Sequence, residues 1–197
     1  MTGNMRCSAN GLMVLKFLAP IMTAVIFWTS AVASAGDVLI DDFKRPPELR
    51  WEFIADTVMG GVSTGGVSFL QDDGETYARM TGDVSTQNNG GFIQFRAKLP
   101  SALPESAVGL RIIARGNDQR YFIHLRTTGT LLPWQYYQAG FEVGRDWSEV
   151  RISFDNFKAS GSLLRALPKP ENVKSIGVVA FGRDHQVKVD VSEVSYY

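Results

Sequence analysis

The sequence predicts an all-β domain of the sandwich or jelly-roll kind. Three observations carry that reading. Apolar and polar residues alternate with period two in short runs all along the chain. Gly, Asn, Asp and Pro punctuate those runs. No regular alternation of strand and helix appears, so a nucleotide-binding α/β fold is disfavoured.

In order, the runs are Val38–Phe43, Trp51–Ile54, Gly66–Gln71, Thr76–Val84, Phe92–Leu99, Val108–Arg115, Arg120–Thr128, Trp134–Val143, Ser148–Phe154, Ser175–Phe181 and Gln186–Tyr196. A single helical turn fits Ser162–Leu167, limited by Pro168 and Pro170. The turn Gly116-Asn117-Asp118-Gln119 predicts a hairpin in which Arg115 faces Arg120. Its core face pairs Ala114 with Tyr121, Ile112 with Ile123 and Leu110 with Leu125. The outer face then gathers Arg111, Arg115, Arg120, Phe122, His124 and Arg126, with Gln94, Arg96, Tyr136, Gln138, Glu149 and Arg151 extending it on neighbouring strands. Like charges opposed across strands repel. The face therefore predicts an acidic neighbour, a ligand or a partner; a solvated face partly neutralised by Glu149 is the plainer alternative.

Residues 1–35 contain no Asp or Glu and only Arg6 and Lys16 as charges. The apolar run Phe17–Trp28 leads into Ala31-Val32-Ala33-Ser34-Ala35. That order predicts a secretory signal peptide over 1–35, cut after Ala35, and a single domain over 36–197. A retained membrane anchor requires about 20 apolar residues, and a transit peptide would be amphipathic and rich in Arg and Ser. Secreted or periplasmic placement follows, with no stable membrane span left after cleavage; an uncleaved membrane anchor is the alternative. Beyond Ala35 there are 18 basic and 20 acidic residues, a net charge of −2, which argues against nucleic acid as a partner. The lone cysteine, Cys7, falls inside the leader, so neither a disulfide nor thiolate chemistry is expected in the domain.

Catalytic signals are few. Gly61-Val62-Ser63-Thr64-Gly65 matches the G-x-S-x-G nucleophile elbow, but an elbow joins a strand to a helix and a strand is expected next. His124 and His185 lack metal-ligand spacing, so no metal and no cofactor is expected. Asp41 and Asp42 meeting Asp190 or Glu193 would suit Ca²⁺; ordinary surface acids are the commoner explanation. The glycine pairs Gly60-Gly61, Gly65-Gly66 and Gly90-Gly91 predict tight turns or close backbone approach.

Taken together, Trp51 to Ser63 (with Asp56, Met59, Gly60 and Gly61), then Gly82-Asp83-Val84-Ser85 and Asn88-Asn89-Gly90-Gly91-Phe92, resemble the complex I intermediate-associated protein family. The resemblance continues through Gly116–Tyr121 and Trp147–Phe157. It implies a galactose-binding-like jelly roll and a non-catalytic, chaperone-like role in assembling respiratory NADH:ubiquinone oxidoreductase, with a protein partner such as a respiratory-complex subunit. The export signal departs from the mitochondrial members of that family. The competing expectation is a carbohydrate- or small-ligand-binding module of the cell envelope, with Trp134, Tyr136 and Tyr137 as its stacking platform.

Overall fold

The strand β12 (His185–Tyr196) is where the architecture is decided, because among the described strands it alone pairs with three others. The computed structural model describes Met1, residues 36–72 and residues 74–197; the leader expected over 1–35 otherwise lies outside the described residues. One face of β12 carries Val187, Val189, Val191 and Val194, all at most 4 % exposed, so burial fixes its register against its neighbours. It pairs with β4 (Glu75–Val84), β6 (Gly109–Gly116) and β1 (Val38–Asp41). Adding β3 (Thr64–Asp72) and β9 (Ser148–Ser153) completes the first sheet, in order β3-β4-β12-β6-β9 with β1 also on β12.

The second sheet runs β10-β8-β7-β11-β5-β2, made of Lys158–Ala159, Tyr137–Val143, Gln119–Thr127, Val173–Phe181, Phe92–Lys98 and Trp51–Ala55. Every pairing in both sheets is antiparallel. The inner faces share one apolar core, with Met80, Ile112 and Val189 from one sheet meeting Phe95, Ile123 and Val178 from the other. Burying an aliphatic or aromatic side chain of this size contributes about 1.5–3 kcal/mol, so the core supplies the main stabilising term. No α-helix occurs among the described residues. The segment expected to turn helically, Ser162–Leu167, is instead bends and turns, since prolines at 168 and 170 leave too few residues to propagate a helix.

The expected hairpin is overturned as well. β6 and β7 do not form a hairpin: β6 pairs with β12 and β9, while β7 pairs with β11 and β8. The two residues between them, Asn117 and Asp118, carry the chain from one sheet to the other, with Asp118 at φ 59°. Ala114, Ile112 and Leu110 do point inward, as do Tyr121, Ile123 and Leu125, but from opposite walls of the core. Tyr121 ties the corner together. Its hydroxyl donates to Asn117 Oδ1 at 2.6 Å and accepts from the Lys188 N–H at 3.0 Å. Burial of the phenol pushes its pKa up to about 12, so it stays a neutral donor.

Candidate functional site

Because β6 and β7 lie in different sheets, the expected arginine patch is split between two outer faces. On the first sheet, Asp190 of β12 stands directly across from Arg79 on β4 and Arg115 on β6. Arg79 donates to it twice at 2.7 Å and Arg115 once at 2.8 Å. Burial opposes the charge of Asp190, but the two guanidinium groups hold it below the usual carboxylate range. Arg115 also lies over the Trp147 ring at 4.5 Å. Next to this cluster, Arg111 is cross-strand from Arg151. Both arginines bond Glu149, at 2.7 and 2.6 Å, and Arg111 also reaches Glu193. Asp37 joins the pair, at 3.2 Å from Arg111 and 2.7 Å from Arg151. These cations are neutralised from within the chain. The carboxylates weighed as Ca²⁺ ligands are engaged in the same way: Asp190 as above, and Asp41 by Arg50, the Trp51 indole N–H at 2.9 Å and the Phe43 N–H at 2.8 Å.

The second sheet presents a different surface. Along β7, Arg120, Phe122, His124 and Arg126 face outward, and Phe181, Val179 and Gly177 of β11 do the same beside them. His124 stacks on Tyr136 at 4.1 Å with 9° between the planes. Phe181 meets Phe122, His124 and Tyr136 edge-on, at 6.0, 5.7 and 6.4 Å. Burial lowers the pKa of His124 to about 4, against a smaller opposing effect of its cross-strand neighbour Gln138, so the ring is neutral at physiological pH. Its Nε2 and the Gln138 Oε1 are buried without hydrogen-bond partners. A cleft of about 310 Å³ opens here, lined by Met59, Phe92, Gln94, His124, Pro133, Trp134, Tyr136, Ser160 and Phe181.

Trp134 forms the rim of that cleft. It was expected at the start of a strand but sits in a turn closed by the Gln135 N–H to the Leu132 carbonyl at 3.0 Å. Pro133 explains this, since its fixed φ suits the second position of a turn. The turn is pinned from three sides. Arg126 donates to the carbonyls of Leu132, Thr130 and Pro133 at 2.9, 3.2 and 3.3 Å. The Gln135 side chain accepts from the N–H groups of Leu131 and Leu132, and Ser160 Oγ donates to the Trp134 carbonyl at 3.1 Å. The Trp134 side chain nevertheless remains 64 % exposed. Tyr137, the third member of the expected platform, points into the core at 2 % exposure, because alternation puts it opposite Tyr136. Arg120 lies at the far end, 3.8 Å from Glu142 and over the Phe122 ring at 5.7 Å.

The motif loops prove to be one hydrogen-bonded clamp beneath this rim. Asp56 is fully buried and accepts from Ser63 Oγ at 2.5 Å, the Gly91 N–H at 2.6 Å, the Ser63 N–H at 3.0 Å and the Phe92 N–H at 3.3 Å. Burial works against its ionisation, yet these donors, with the Ser63 hydroxyl foremost, hold it below the usual carboxylate range. Gly61 and Gly90 make room for it: a Cβ on either would stand 2.3 Å from Asp56 Cγ or 2.4 Å from Asp56 Oδ2. Asn88 and Asn89 take φ of 55° and 57°, a region Asn tolerates. Gly60, at φ 91°, closes the short turn Asp56–Met59 and leaves Val58 and Met59 exposed. Ser63 is 1 % exposed and its hydroxyl is engaged by Asp56, the opposite of an elbow nucleophile held out to substrate. Trp51 packs at the core edge, 5.3 Å from both Phe43 and Phe95.

Residues 42–190 match the family model for Complex I intermediate-associated protein 30 (CIA30). The chain belongs to this family. The Asp56 clamp lies inside the matched range, and the short turn that carries Met59 is what it holds in place. A comparison with curated protein sequences finds no match. Among solved structures, the chain is similar to the family 11 carbohydrate-binding module of a cellulosomal cellulase of Clostridium thermocellum, with TM-score 0.66 and 14 % identity over 82 % of this chain and 94 % of that one. The same module bound to a β-1,3-1,4-mixed-linked tetrasaccharide matches at TM-score 0.62, also with 14 % identity, over 82 % of this chain and 95 % of that one. A family 30 carbohydrate-binding module matches at TM-score 0.58 and 14 % identity, over 83 % and 88 % of the two chains. At such identities the likeness establishes the jelly-roll sandwich. No helix among the described residues is long and apolar enough to cross a membrane.

Phe181, Gln135, Ser160 and Met59 complete the cleft and its rim, although the sequence does not single out the first three as site residues. Outward alternation from Gly177 through Val179 was a usable signal for Phe181. Nothing local marks Ser160, which meets Trp134 only through the fold.

Proposed function

We propose that this CIA30-family protein is a non-catalytic binding protein of the assembly-factor kind. It is exported by cleavage after Ala35 and holds a protein partner, a subunit of an NADH:ubiquinone oxidoreductase-type complex, on the outer face of its second sheet. One observation carries the reading: Trp134 is held out to solvent by a backbone that is pinned on three sides. Ordering a loop costs conformational entropy, and an exposed indole returns nothing in the isolated domain. A pre-ordered aromatic at the mouth of an apolar cleft, beside exposed Met59 and Leu131, is the arrangement of an interface anchor. Family membership supports the class of client, and the engaged Ser63 supports a non-catalytic role.

The test replaces Trp134 in the full chain with a photo-crosslinking amino acid and irradiates cells that make it. The expected adduct contains a respiratory-complex subunit. The second reading, a carbohydrate-binding module, is favoured by the Gln94 amide and Ser160 hydroxyl in the same cleft. Saturable titration with a mixed-linked tetrasaccharide, without a protein adduct, would install that reading instead.

A further inference from the structure

Beside the aromatic cleft, on the same outer face, lies a groove of about 410 Å³ lined by four cations, Arg96, Lys98, Arg126 and Lys174, and by no carboxylate. We infer that the partner presents an acidic extended segment, which runs along this groove while an apolar side chain next to it enters the cleft. The inference rests on the partner-binding reading above and adds the partner's chemistry.

The register builds the groove. Ser175 of β11 pairs with Arg126 of β7 on one side and with Lys98 of β5 on the other, so a small side chain forms the floor between two long basic ones. Gly177, one step along, lies between His124 and Arg96 and keeps the floor low where groove and cleft join.

Neutralisation separates this cluster from the arginines of the first sheet. There, Asp190, Glu149, Glu193 and Asp37 answer Arg79, Arg115, Arg111 and Arg151. Here Glu52 meets Arg96 at 2.6 Å. Among the described residues, no ion pair engages Lys98, Arg126 or Lys174. Arg126 is lowered in pKa by burial first and then by the charge of Arg96, so the two cations repel one another. The net positive charge left on Lys98, Arg126 and Lys174 selects an anionic partner and speeds its approach.

The rings favour a peptide over a sugar. Tyr136, His124 and Phe181 pack on one another and leave Trp134 as the exposed ring, while Met59 adds an aliphatic edge. Cleft and groove are joined along β5 by Gln94 and Arg96 and along β7 by His124 and Arg126. That is two residues of strand, or about 7 Å. The partner's first acidic residue therefore falls about two to four residues from its apolar anchor.

The full chain is titrated with three synthetic peptides, each with a Leu-Trp anchor followed by a run of Glu, Gln or Lys. The Glu peptide should bind at least about tenfold more tightly than the Gln peptide at low salt, with the gap closing as salt screens it. The Lys98→Glu/Lys174→Glu variant should erase that preference without moving the melting midpoint, since both lysines are exposed. Equal binding of the Glu and Gln peptides, a preference that survives the double charge reversal, or binding of a uronate oligosaccharide but not of the Glu peptide would each overturn the inference. If the Trp134 crosslink to a protein persists in the Lys98→Glu/Lys174→Glu variant, the partner-binding reading stands and only the acidic segment falls. Glu-peptide affinity unchanged in Trp134→Ala would remove the anchor and, with it, the partner-binding reading.

Discussion

Ser63 Oγ donates to Asp56 Oδ2 at 2.5 Å while accepting the Ser85 N–H at 3.0 Å, and through that one hydroxyl three loops are joined. Replacing Asp56 by Asn would leave the Ser63 and Gly91 N–H groups facing an amide that satisfies fewer of them. Orphaning a buried donor costs about 1–3 kcal/mol, so Asp56→Asn should lower stability by about 2–4 kcal/mol. Ser63→Ala, which removes one donor and one acceptor, should cost about 1–2 kcal/mol. Urea midpoints at pH 7 decide this. A serine-directed fluorophosphonate should leave the native protein unlabelled; stoichiometric labelling lost in Ser63→Ala would mean that the hydroxyl is free for chemistry.

Gly61→Ala tests the same clamp by steric means. The added methyl would fall 2.3 Å from Asp56 Cγ, and overpacking of this kind costs about 1–3 kcal/mol. In an Asp56→Ala background the Cγ and Oδ1 obstacles are gone and only Cβ, 2.8 Å away, remains, so the penalty should shrink. Contacting residues are expected to be non-additive in this way. Strictly additive losses in the double-mutant cycle would place the cost of Gly61→Ala elsewhere.

How far these features were legible depends on range. Which side chains point inward along β6 and β7 followed from alternation, because that pattern is local: Ile112 and Ile123 each need only their own neighbours to be read. Which strands pair was not local. A two-residue connection at Asn117-Asp118 is compatible with a hairpin or with a corner between sheets, and the choice rests on Asp190, 75 residues beyond Arg115 in the chain. The D-x-V-M-G-G-x-S and N-N-G-G-F motifs were visible, but their purpose was hidden. A single buried carboxylate explains both, and no periodicity signals a bond between Asp56 and Gly91.

Acid should weaken the fold in two stages. His124 is harder to protonate folded, near 4, than unfolded, near 6.5. Its contribution is intact above pH 6.5 and declines as pH falls toward 4, by up to about 3 kcal/mol. His185, also lowered by burial, acts in the same direction. Asp56 and Asp190 lie below the unfolded carboxylate value of 3.8, so their contribution is complete above that pH and is lost as pH falls through the lower folded values. His124→Gln should flatten the stability curve between pH 6.5 and 4.5 while leaving the loss below pH 4 in place. Urea midpoints across that range check it, and an unchanged slope in the variant would assign the first stage to other groups.

The two outer faces should separate stability from binding. Arg115→Ala removes one of the two cations on Asp190, a carboxylate only 2 % exposed. Arg79 keeps its two bonds to it, so the loss of one charge-assisted hydrogen bond should cost about 1.5–3 kcal/mol. The loss of packing over Trp147 adds to it. Arg115 and Arg111 are answered by Asp190, Glu149 and Glu193 within the chain, so Arg115→Ala and Arg111→Ala should leave the affinity of the surviving folded protein for its partner unchanged. Trp134→Ala should do the reverse. The indole is exposed while its backbone carbonyl and turn are held by Ser160, Arg126 and Gln135, so stability should move by less than about 0.5 kcal/mol. As a central aromatic anchor, its loss should weaken partner binding by about 2 kcal/mol or more. Thermal melts and partner titrations on the same three variants form the test. Weakened binding in Arg111→Ala without destabilisation would move the interface to the first sheet, and unchanged binding in Trp134→Ala would remove it from the second.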